Sequence, residues 1–430
     1  MTLLGAVEQR ECDAPLLILA HRTVTAAQLV EGARRLRQAC ASLAGADVAI
    51  DCDPAGEALP WLMALDGHVR SMLILPPEAP EAFKVRLIAN SGAELRISHP
   101  LDTAELSLPD RRESLWNRTG GTRWLIATSG TTGEPKLISH SLNSLSRTVK
   151  PLQTTAPRRW GCLYPVTRFA GLQVFLQAIL GEGMLVVPPP SRNVGEIIAA
   201  LAAADCDALC GTPSMCRRLL MHPLAQQLKP RQITLGGEIA DAAVLRQLAR
   251  TYPHARISHV YASTEFGVGF SVTDGRAGFP AEWLQHGAPG CELQICEDEL
   301  YLRMRGDAVN ATEAFMPSGD RVQVRADRVY FLGRTSSAIN VGGNKVMPEE
   351  VEGVIQEVPG VAVARVSARR SSILGSLVVA EVVASEAASK EELQKRIDAH
   401  CRNRLQAFKV PARIALVSNI MLSSTGKIER

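Results

Sequence analysis

The chain has 430 residues, 46% of them apolar and 21% charged, with a formal net charge of +3. A chain this long exceeds one compact core and implies two or three domains, and so small a charge, with no basic run interleaved with aromatics, argues against nucleic acid as a partner. No apolar stretch approaches the roughly 18 residues that span a bilayer, and Met1–Arg10 lacks the basic-then-apolar order of a signal peptide, so a cytoplasmic protein without membrane insertion is expected.

Residues 1–123 alternate short apolar runs (Pro15–Ala20, Asp47–Ile50, Met72–Leu75) with helical stretches such as Ala26–Leu43, which predicts α/β units acting as scaffold. Trp124–Ala127 reads as a buried strand. It runs into Thr128-Ser-Gly-Thr-Thr-Gly-Glu-Pro-Lys136, and Leu137-Ile-Ser-His-Ser-Leu beyond it opens a helical pattern. This context marks a phosphate loop. Gly130 and Gly133 let the backbone turn and aim its N–H groups at an anion, the hydroxyls of Thr128, Ser129, Thr131 and Thr132 add donors, and Lys136 adds a mobile positive charge. Only two residues separate the glycines, so the loop is not of the Walker type.

From 124 to about 262 strands are expected at Met184–Val187, Ala208–Cys210, Gln232–Leu235 and Arg256–Tyr261, with helices at Val194–Ala204, Pro213–Met221 and Asp241–Thr251. The alternation predicts a mainly parallel sheet covered by helices, with ligands at the strand C-terminal ends. The phosphate loop, Gly236-Gly-Glu238 and Tyr261-Ala-Ser-Thr-Glu265 each follow such a strand and are expected to meet on one sheet edge. Between about 268 and 333 the period becomes two, with antiparallel strands turning at Glu297-Asp298 and Ala326-Asp327. After Gly333 a small α+β unit is expected, with helices at Pro348–Val358 and Lys390–Gln406 and strands near Val361–Ser367, Leu377–Val383 and Arg413–Val417. The ten cysteines read as small buried hydrophobes, since neither Cys206/Cys210 nor Cys291/Cys296 has the spacing of a zinc site.

Taken singly, the polar residues after these strands have ordinary readings. Glu265 is a cap or surface charge, or, beside a polyphosphate, a hard oxygen ligand for Mg²⁺ with Thr264 next to it. Tyr261 is a strand-end core aromatic or a flat face for a base. Asp320 has the geometry to accept both hydroxyls of a ribose, and Arg334 to reach ribose or phosphate through its fork of donors.

Their order and spacing are more specific. The loop Thr128–Lys136, Gly236-Gly-Glu238, Tyr261-x-x-Thr-Glu265, Ser318-Gly-Asp320, Gly333-Arg334, Ile339-Asn-Val-Gly-Gly343 with Pro348-x-x-Val-Glu352, and Ser424-Thr-Gly-Lys-Ile-x-Arg430 resemble the adenylate-forming superfamily of acyl-CoA synthetases, peptide-synthetase adenylation domains and luciferases. The resemblance covers 124 to the end; before 124 it is one of position only. It implies an α/β fold with a large N-terminal domain over 1–334: scaffold over 1–123, nucleotide-binding α/β over 124–267, and a β-rich subdomain over 268–333. A small mobile α+β C-terminal domain over 335–430 carries the catalytic lysine. By the same resemblance the loop holds ATP β/γ-phosphates and Gly237 and Glu238 border the nucleotide. Tyr261 stacks on adenine, Thr264 meets the α-phosphate and Glu265 holds Mg²⁺. Asp320 and Arg334 hold the ribose, and Lys427 bridges the attacking carboxylate and the α-phosphate. Such a site aligns a poor nucleophile and neutralises the charge of a pentavalent transition state.

The resemblance further places a hinge at Ser336, where relatives usually have Asp or Lys, a pantetheine tunnel wall at Gly342-Gly343, and an acyl pocket around Arg168, Phe169, Gly171, Gly236 and Gly267. Tyr164–Leu172 lacks the aspartate that pairs with an amino-acid ammonium, so free α-amino acids are disfavoured among carboxylic acid substrates. Arg168 is read either as a surface ion-pair residue or as a contact to a polar substrate tail or to the incoming thiol carrier. The implied acceptor is the thiol of CoA or of phosphopantetheine on an acyl carrier protein, with a lean towards the carrier. Two other readings stand beside this ligase: adenylation alone, and a silent nucleotide-binding relative. Intact Lys136, Glu265, Asp320, Arg334 and Lys427 argue against the second.

Overall fold

The computed structural model describes residues 2–19, 22–52, 58–98, 121–128, 136–151, 157–305, 314–371, 375–385, 389–423 and 425–429. The first thirteen strands are β1 (Pro15–Leu19), β2 (Arg22–Thr25), β3 (Asp47–Ile50), β4 (Ser71–Ile74), β5 (Leu95–Ile97), β6 (Arg123–Thr128), β7 (Lys136–His140), β8 (Arg159–Cys162), β9 (Met184–Val187), β10 (Ala208–Gly211), β11 (Gln232–Gly236), β12 (Arg256–Ser263) and β13 (Gly267–Val272). They form two sheets, one ordered β5-β3-β4-β6-β7 and the other β13-β12-β11-β10-β8-β9-β1-β2. Both are parallel inside and end on antiparallel edge strands, β7 in the first and β13 and β2 in the second. The largest apolar cluster joins them through Trp61, Trp124, Leu36 and Phe175, and the helix Ala58–Leu65 is buried on every face.

Two expectations are corrected here. Leu137 to His140 is not helical: β7 runs back antiparallel along β6, from Thr128↔Lys136 to Trp124↔His140. The helix begins only at Leu142, where Ser141 and Ser144 close a capping box. The three polar loops also do not share one sheet, since β6 belongs to the first sheet and β11 and β12 to the second. Strand-helix rhythm does not encode which sheet a strand joins; among the described residues, Thr128 from the first sheet and Gly236–Glu238 and Tyr261–Glu265 from the second line a common cleft.

Antiparallel strands β14 (Phe279–Pro280), β15 (Cys291–Cys296), β16 (Glu299–Met304), β17 (Met316–Arg325) and β18 (Arg328–Arg334) form a third sheet, ordered β14-β18-β17-β16-β15. Its acidic turns fall where expected, with Glu297, Asp298 and Ala326 at positive φ. Beyond it lie the hairpin β19 (Ile339–Val341) and β20 (Asn344–Val346), the helix Pro348–Gln356, β21 (Val361–Ser371), β22 (Gly375–Ala384), the helix Lys390–Arg404 and β23 (Arg413–Val417), with sheet order β21-β22-β23. Among the described residues no apolar cluster contains side chains from both sides of 335. None of the described helices is long and apolar enough to cross a membrane.

Gly171 does not line a pocket. It lies buried in the helix Phe169–Leu180, where a Cβ would fall 2.7 Å from Val166 Cα and closer still to the Pro165 carbonyl. The backbone of Pro165 and Val166 cannot yield as a flexible side chain would. Gly171→Ala is therefore expected to destabilise the fold by about 1–3 kcal/mol, the cost of overpacking, read as a lowered urea midpoint; an unchanged midpoint contradicts this packing.

Candidate active site

A cleft of ≈ 1300 Å³ gathers residues distant in sequence: Thr128 at the end of β6, Gly236, Gly237 and Glu238 after β11, Tyr261, Thr264 and Glu265 from β12, Asp320 from β17, Arg334 from β18, and Lys427. Arg168 and Phe169 line it at the start of their helix. Ser129, Gly130, Thr131, Thr132 and Gly133 lie outside the described residues. Lys136 opens β7 opposite Thr128 and is exposed. Gly267, also assigned to the acyl pocket, forms the positive-φ turn between β12 and β13 and is not among the lining residues described. Gly342 and Gly343 form the β19–β20 turn, away from this cleft, where Asn340 Oδ1 accepts from the Gly343 N–H at 2.9 Å.

The C-terminal tail is brought into the cleft by hydrogen bonds. Thr212, 0% exposed, caps the helix Pro213–Leu220 by accepting from Met215 N–H, and its hydroxyl donates to the Gly426 carbonyl at 2.6 Å. Glu238 Oε2 accepts from Ser214 N–H at 2.9 Å, and its Oε1 accepts from Ile428 N–H at 3.0 Å. Gly426 has a φ of 73° and lies against Met215, so neither a Cβ nor an ordinary backbone fits there. These bonds bracket Lys427, whose Cε would lie 3.4 Å from a Cβ on Gly237. The residue is exposed and lines the open cleft. Burial, with Arg334 and Arg168 nearby, holds it below the ordinary lysine range, against the opposite pull of Glu238 and Asp320.

Asp320 is the second organising carboxylate. Its Oδ2 accepts from the Tyr261 hydroxyl at 2.5 Å and its Oδ1 from Arg334 Nε at 3.2 Å, across the β17–β18 pair. Burial and the adjacent carboxylate push the Tyr261 phenol far up, so it remains a donor. Burial lowers Arg334, but Asp320, Tyr261 and Glu265 outweigh it and hold the guanidinium above its usual value. The Tyr261 ring stacks with Phe270 and Phe331, centroids 5.1 Å away in each case. Arg168 pairs with Glu78, which realises the ion-pair reading while leaving the side chain on the cleft wall.

Sequence reasoning missed His140, Thr212 and Tyr164. His140, 2% exposed, donates from Nε2 to the Thr264 carbonyl at 2.9 Å. Burial pushes its imidazole down to about 4, against the pull of that carbonyl and Glu265, so the ring is neutral at physiological pH and pins the Thr264-Glu265 turn. Its signal was hidden in the segment read as helix. Thr212 was legible as a helix cap before Pro213, but its bond to Gly426 spans half the chain. Tyr164 donates to the Gly236 carbonyl at 3.1 Å and props the turn beneath Lys427.

This arrangement offers hydroxyl and carboxylate groups to a nucleotide, with a lysine across from them, as in an enzyme that activates acids with ATP. The AMP-binding enzyme model matches residues 39–306 and the AMP-binding enzyme C-terminal domain model residues 350–427. The chain belongs to the AMP-binding enzyme family. It is 27% identical over 334 residues to a 2-succinylbenzoate–CoA ligase of Listeria monocytogenes, covering 71% of this chain and 68% of that one. It is 26% identical over 356 residues to surfactin synthase subunit 1 of Bacillus subtilis, covering 71% of this chain but only 10% of that protein's length. Its fold matches o-succinylbenzoate CoA synthetase of Bacillus subtilis in complex with an acyl-adenylate (TM-score 0.72, 20% identity, 99% of this chain and 96% of that one). It also matches an anthranilate CoA ligase in complex with anthranoyl-AMP (TM-score 0.79, 18% identity, 100% and 95%). These carry the large N-terminal and small C-terminal domain arrangement described above.

Glu238→Ala removes the acceptor of the Ile428 N–H. Hydrogen exchange at that amide is expected to rise roughly tenfold, as one charge-assisted bond of about 1.5 kcal/mol is lost. An unchanged rate would mean that the tail is seated by other contacts.

Proposed function

We propose that the chain activates a carboxylic acid as its acyl-adenylate, releasing pyrophosphate, and passes the acyl group to a phosphopantetheine thiol of CoA or of an acyl carrier protein. The observation that carries this reading is Lys427: a residue near the chain end stands over Gly237 in the cleft lined by Thr128, Thr264, Glu265, Asp320 and Arg334. The family membership and the acid–thiol ligases among the similar proteins support it.

In this reading the polyphosphate lies at the loop Thr128–Lys136, the adenine at Tyr261 beside Gly237 and Glu238, and the ribose hydroxyls at Asp320. Each Asp320 oxygen retains a lone pair after binding Tyr261 or Arg334. The acid's carboxylate approaches the α-phosphorus in line, past Gly236. Its oxygen forms the new P–O bond as the bond to pyrophosphate breaks, and Lys427 faces the charge that builds on the equatorial oxygens. Thr264, fixed through His140, faces the same phosphate. Glu265 supplies one hard carboxylate oxygen, which suits Mg²⁺ held largely by water and phosphate, and that ion, when bound, withdraws charge from the polyphosphate. Among the described residues no cluster of three metal-ligating side chains offers a cage of its own.

For thiol transfer we place the boundary of the small domain at 334/335 and its hinge at Ser336, an exposed residue of the single 3₁₀ turn Thr335–Ser337. Rotation there carries Lys427 out and the Gly342-Gly343 turn in, and positive φ at both glycines leaves that turn without side chains where a pantetheine arm would pass. Glu238 and Thr212 hold the tail for the first half-reaction only.

Three outcomes are expected. An acid panel offered ATP with CoA and with a phosphopantetheine-loaded carrier should yield pyrophosphate and a thioester by mass; no pyrophosphate with any acid overturns the ligase reading. Lys427→Ala should slow adenylation by orders of magnitude with ATP affinity nearly intact, because its contact is made chiefly in the transition state. Because the ammonium is the working form and its pKa is lowered, adenylation should fall as pH rises through a value below the ordinary 10.5 of lysine. That limb should move upward in Arg334→Gln, which removes a neighbouring positive charge, and an unmoved limb would assign it to another group.

A further inference from the structure

From Gly236 the cleft continues along the face of the eight-stranded sheet towards the N-terminal ends of its strands. Parallel register puts Trp160, Ala208, Gln232 and Arg256 in one row, and Cys162, Cys210, Thr234 and Ser258 in the next. On the other face of β11, Ile233 and Leu235 are fully buried. An interior parallel strand covered on both sides is usually apolar throughout. The cleft face of β11 is polar instead, and its groups form a directed chain. Arg158 Nη1 donates to Gln232 Oε1 at 2.5 Å, Gln232 Nε2 donates to Thr234 Oγ1 at 3.1 Å, and Ser258 Oγ lies 3.4 Å from the same oxygen.

The carboxylates of this cleft are gathered at one end. Glu238, Asp241, Glu265 and Asp320 all follow the C-terminal ends of strands or lie on β17, and Glu349 and Glu352 lie on the helix Pro348–Gln356. The remote end is lined by Arg158, Arg256 and Lys150, and none of the three forms an ion pair with a carboxylate among the described residues. Arg158 is partly buried, its guanidinium 5.8 Å from the Trp160 ring centroid. A hydrocarbon tail laid here would strip water from that guanidinium and return no acceptor, at a net loss. Phe169, Ala170 and Val174 add apolar lining, beside Gln173 and Gln177 of the same helix.

We propose that the acid activated by this chain carries a second hydrogen-bond-accepting group, by preference a carboxylate, at the end remote from its reacting carboxyl, and that Arg158 with Gln232 and Thr234 selects it. The inference rests on the ligase reading above and names its substrate class: an acid with an apolar middle and a distal anion. Gln232 lies four residues before Gly236 on β11, so the two ends of the substrate are separated by about 13 Å or less, at ~3.3 Å of strand rise per residue. Thr234 and Ser258, halfway along, would meet a polar group on a shorter acid.

The test compares length-matched pairs by pyrophosphate release: octanoate against octanedioate, decanoate against decanedioate, and phenylbutanoate against its para-carboxylated counterpart. In at least one pair kcat/KM should favour the diacid by tenfold or more. Arg158→Met should bring that ratio near one, with the diacid rate lowered and the monoacid rate maintained or raised, which also reports that the variant is folded. Gln232→Leu should lower the ratio in the same direction. Equal or monoacid-favouring ratios in all pairs, or a preference that survives Arg158→Met, overturn this inference alone. Release with no acid of either kind overturns the ligase reading and this inference with it.

Discussion

The site depends on one carboxylate that two separate parts of the chain share. Glu238 accepts a hydrogen bond from Ser214 at the start of a helix in the large domain and another from Ile428 in the C-terminal tail. The helix N-terminus favours a negative charge at that point, so the anion is held there whether or not the tail is present. Docking the tail then needs only to bring a backbone N–H to an acceptor already in position. Thr212 works the same way, since its oxygen is fixed by capping before its hydroxyl reaches Gly426. Lys427 lies between the two bonds and inherits its position from them.

The rest of the cleft is built on the same economy, with each lining group held by a hydrogen-bonding neighbour. Tyr261 and Arg334 fix Asp320, His140 fixes the Thr264 carbonyl, and Tyr164 fixes the Gly236 carbonyl. Three of these props are uncharged, and His140 remains so because burial depresses its imidazole. Neutral props orient without adding to the field that a polyphosphate would feel. Burial, and after it Arg334 and Arg168, keep the Lys427 proton held less tightly than in free lysine, against the opposite pull of Glu238 and Asp320.

Much of this was legible in the sequence. Strand and helix positions from 184 onward, the acidic turns at Glu297 and Ala326, and the succession of polar loops all follow from periodicity and turn chemistry, and the motif order identified the family. What was not legible depends on pairing over distance. His140 fell in a hairpin whose short apolar run fits either period, and the assignment of β6 to a different sheet from β11 has no local signature. Gly171 looked like a pocket glycine because it stands beside Arg168 and Phe169, but in a helix the adjacent residue points elsewhere, and Gly171 serves close packing against Pro165. The polar face of β11 could have been noticed, since Gln232, Thr234 and Gly236 alternate with Ile233 and Leu235. Without the register to Arg158 and Ser258 it had no chemical meaning.

The boundary near 335 shows how such a tail can be both seated and released. No apolar cluster among the described residues crosses it, and the tail is joined to the large domain by hydrogen bonds at Thr212 and Glu238. At roughly 0.5–1.5 kcal/mol net for each bond, these two contacts are worth a population shift of about one to two orders of magnitude. A buried apolar seam of even a few side chains would exceed that several-fold. In the proposed cycle, polar attachment would suit a domain that leaves and returns: it gives precise placement through directional bonds while keeping the bound state shallow. At the proposed hinge the same restraint holds: Gly333 takes a φ of 142° beside the Glu349 carboxylate, and Ser337 reaches that carboxylate from the next turn at 3.4 Å. These contacts are polar, so the rotation proposed about Ser336 would exchange hydrogen bonds for water without exposing a core.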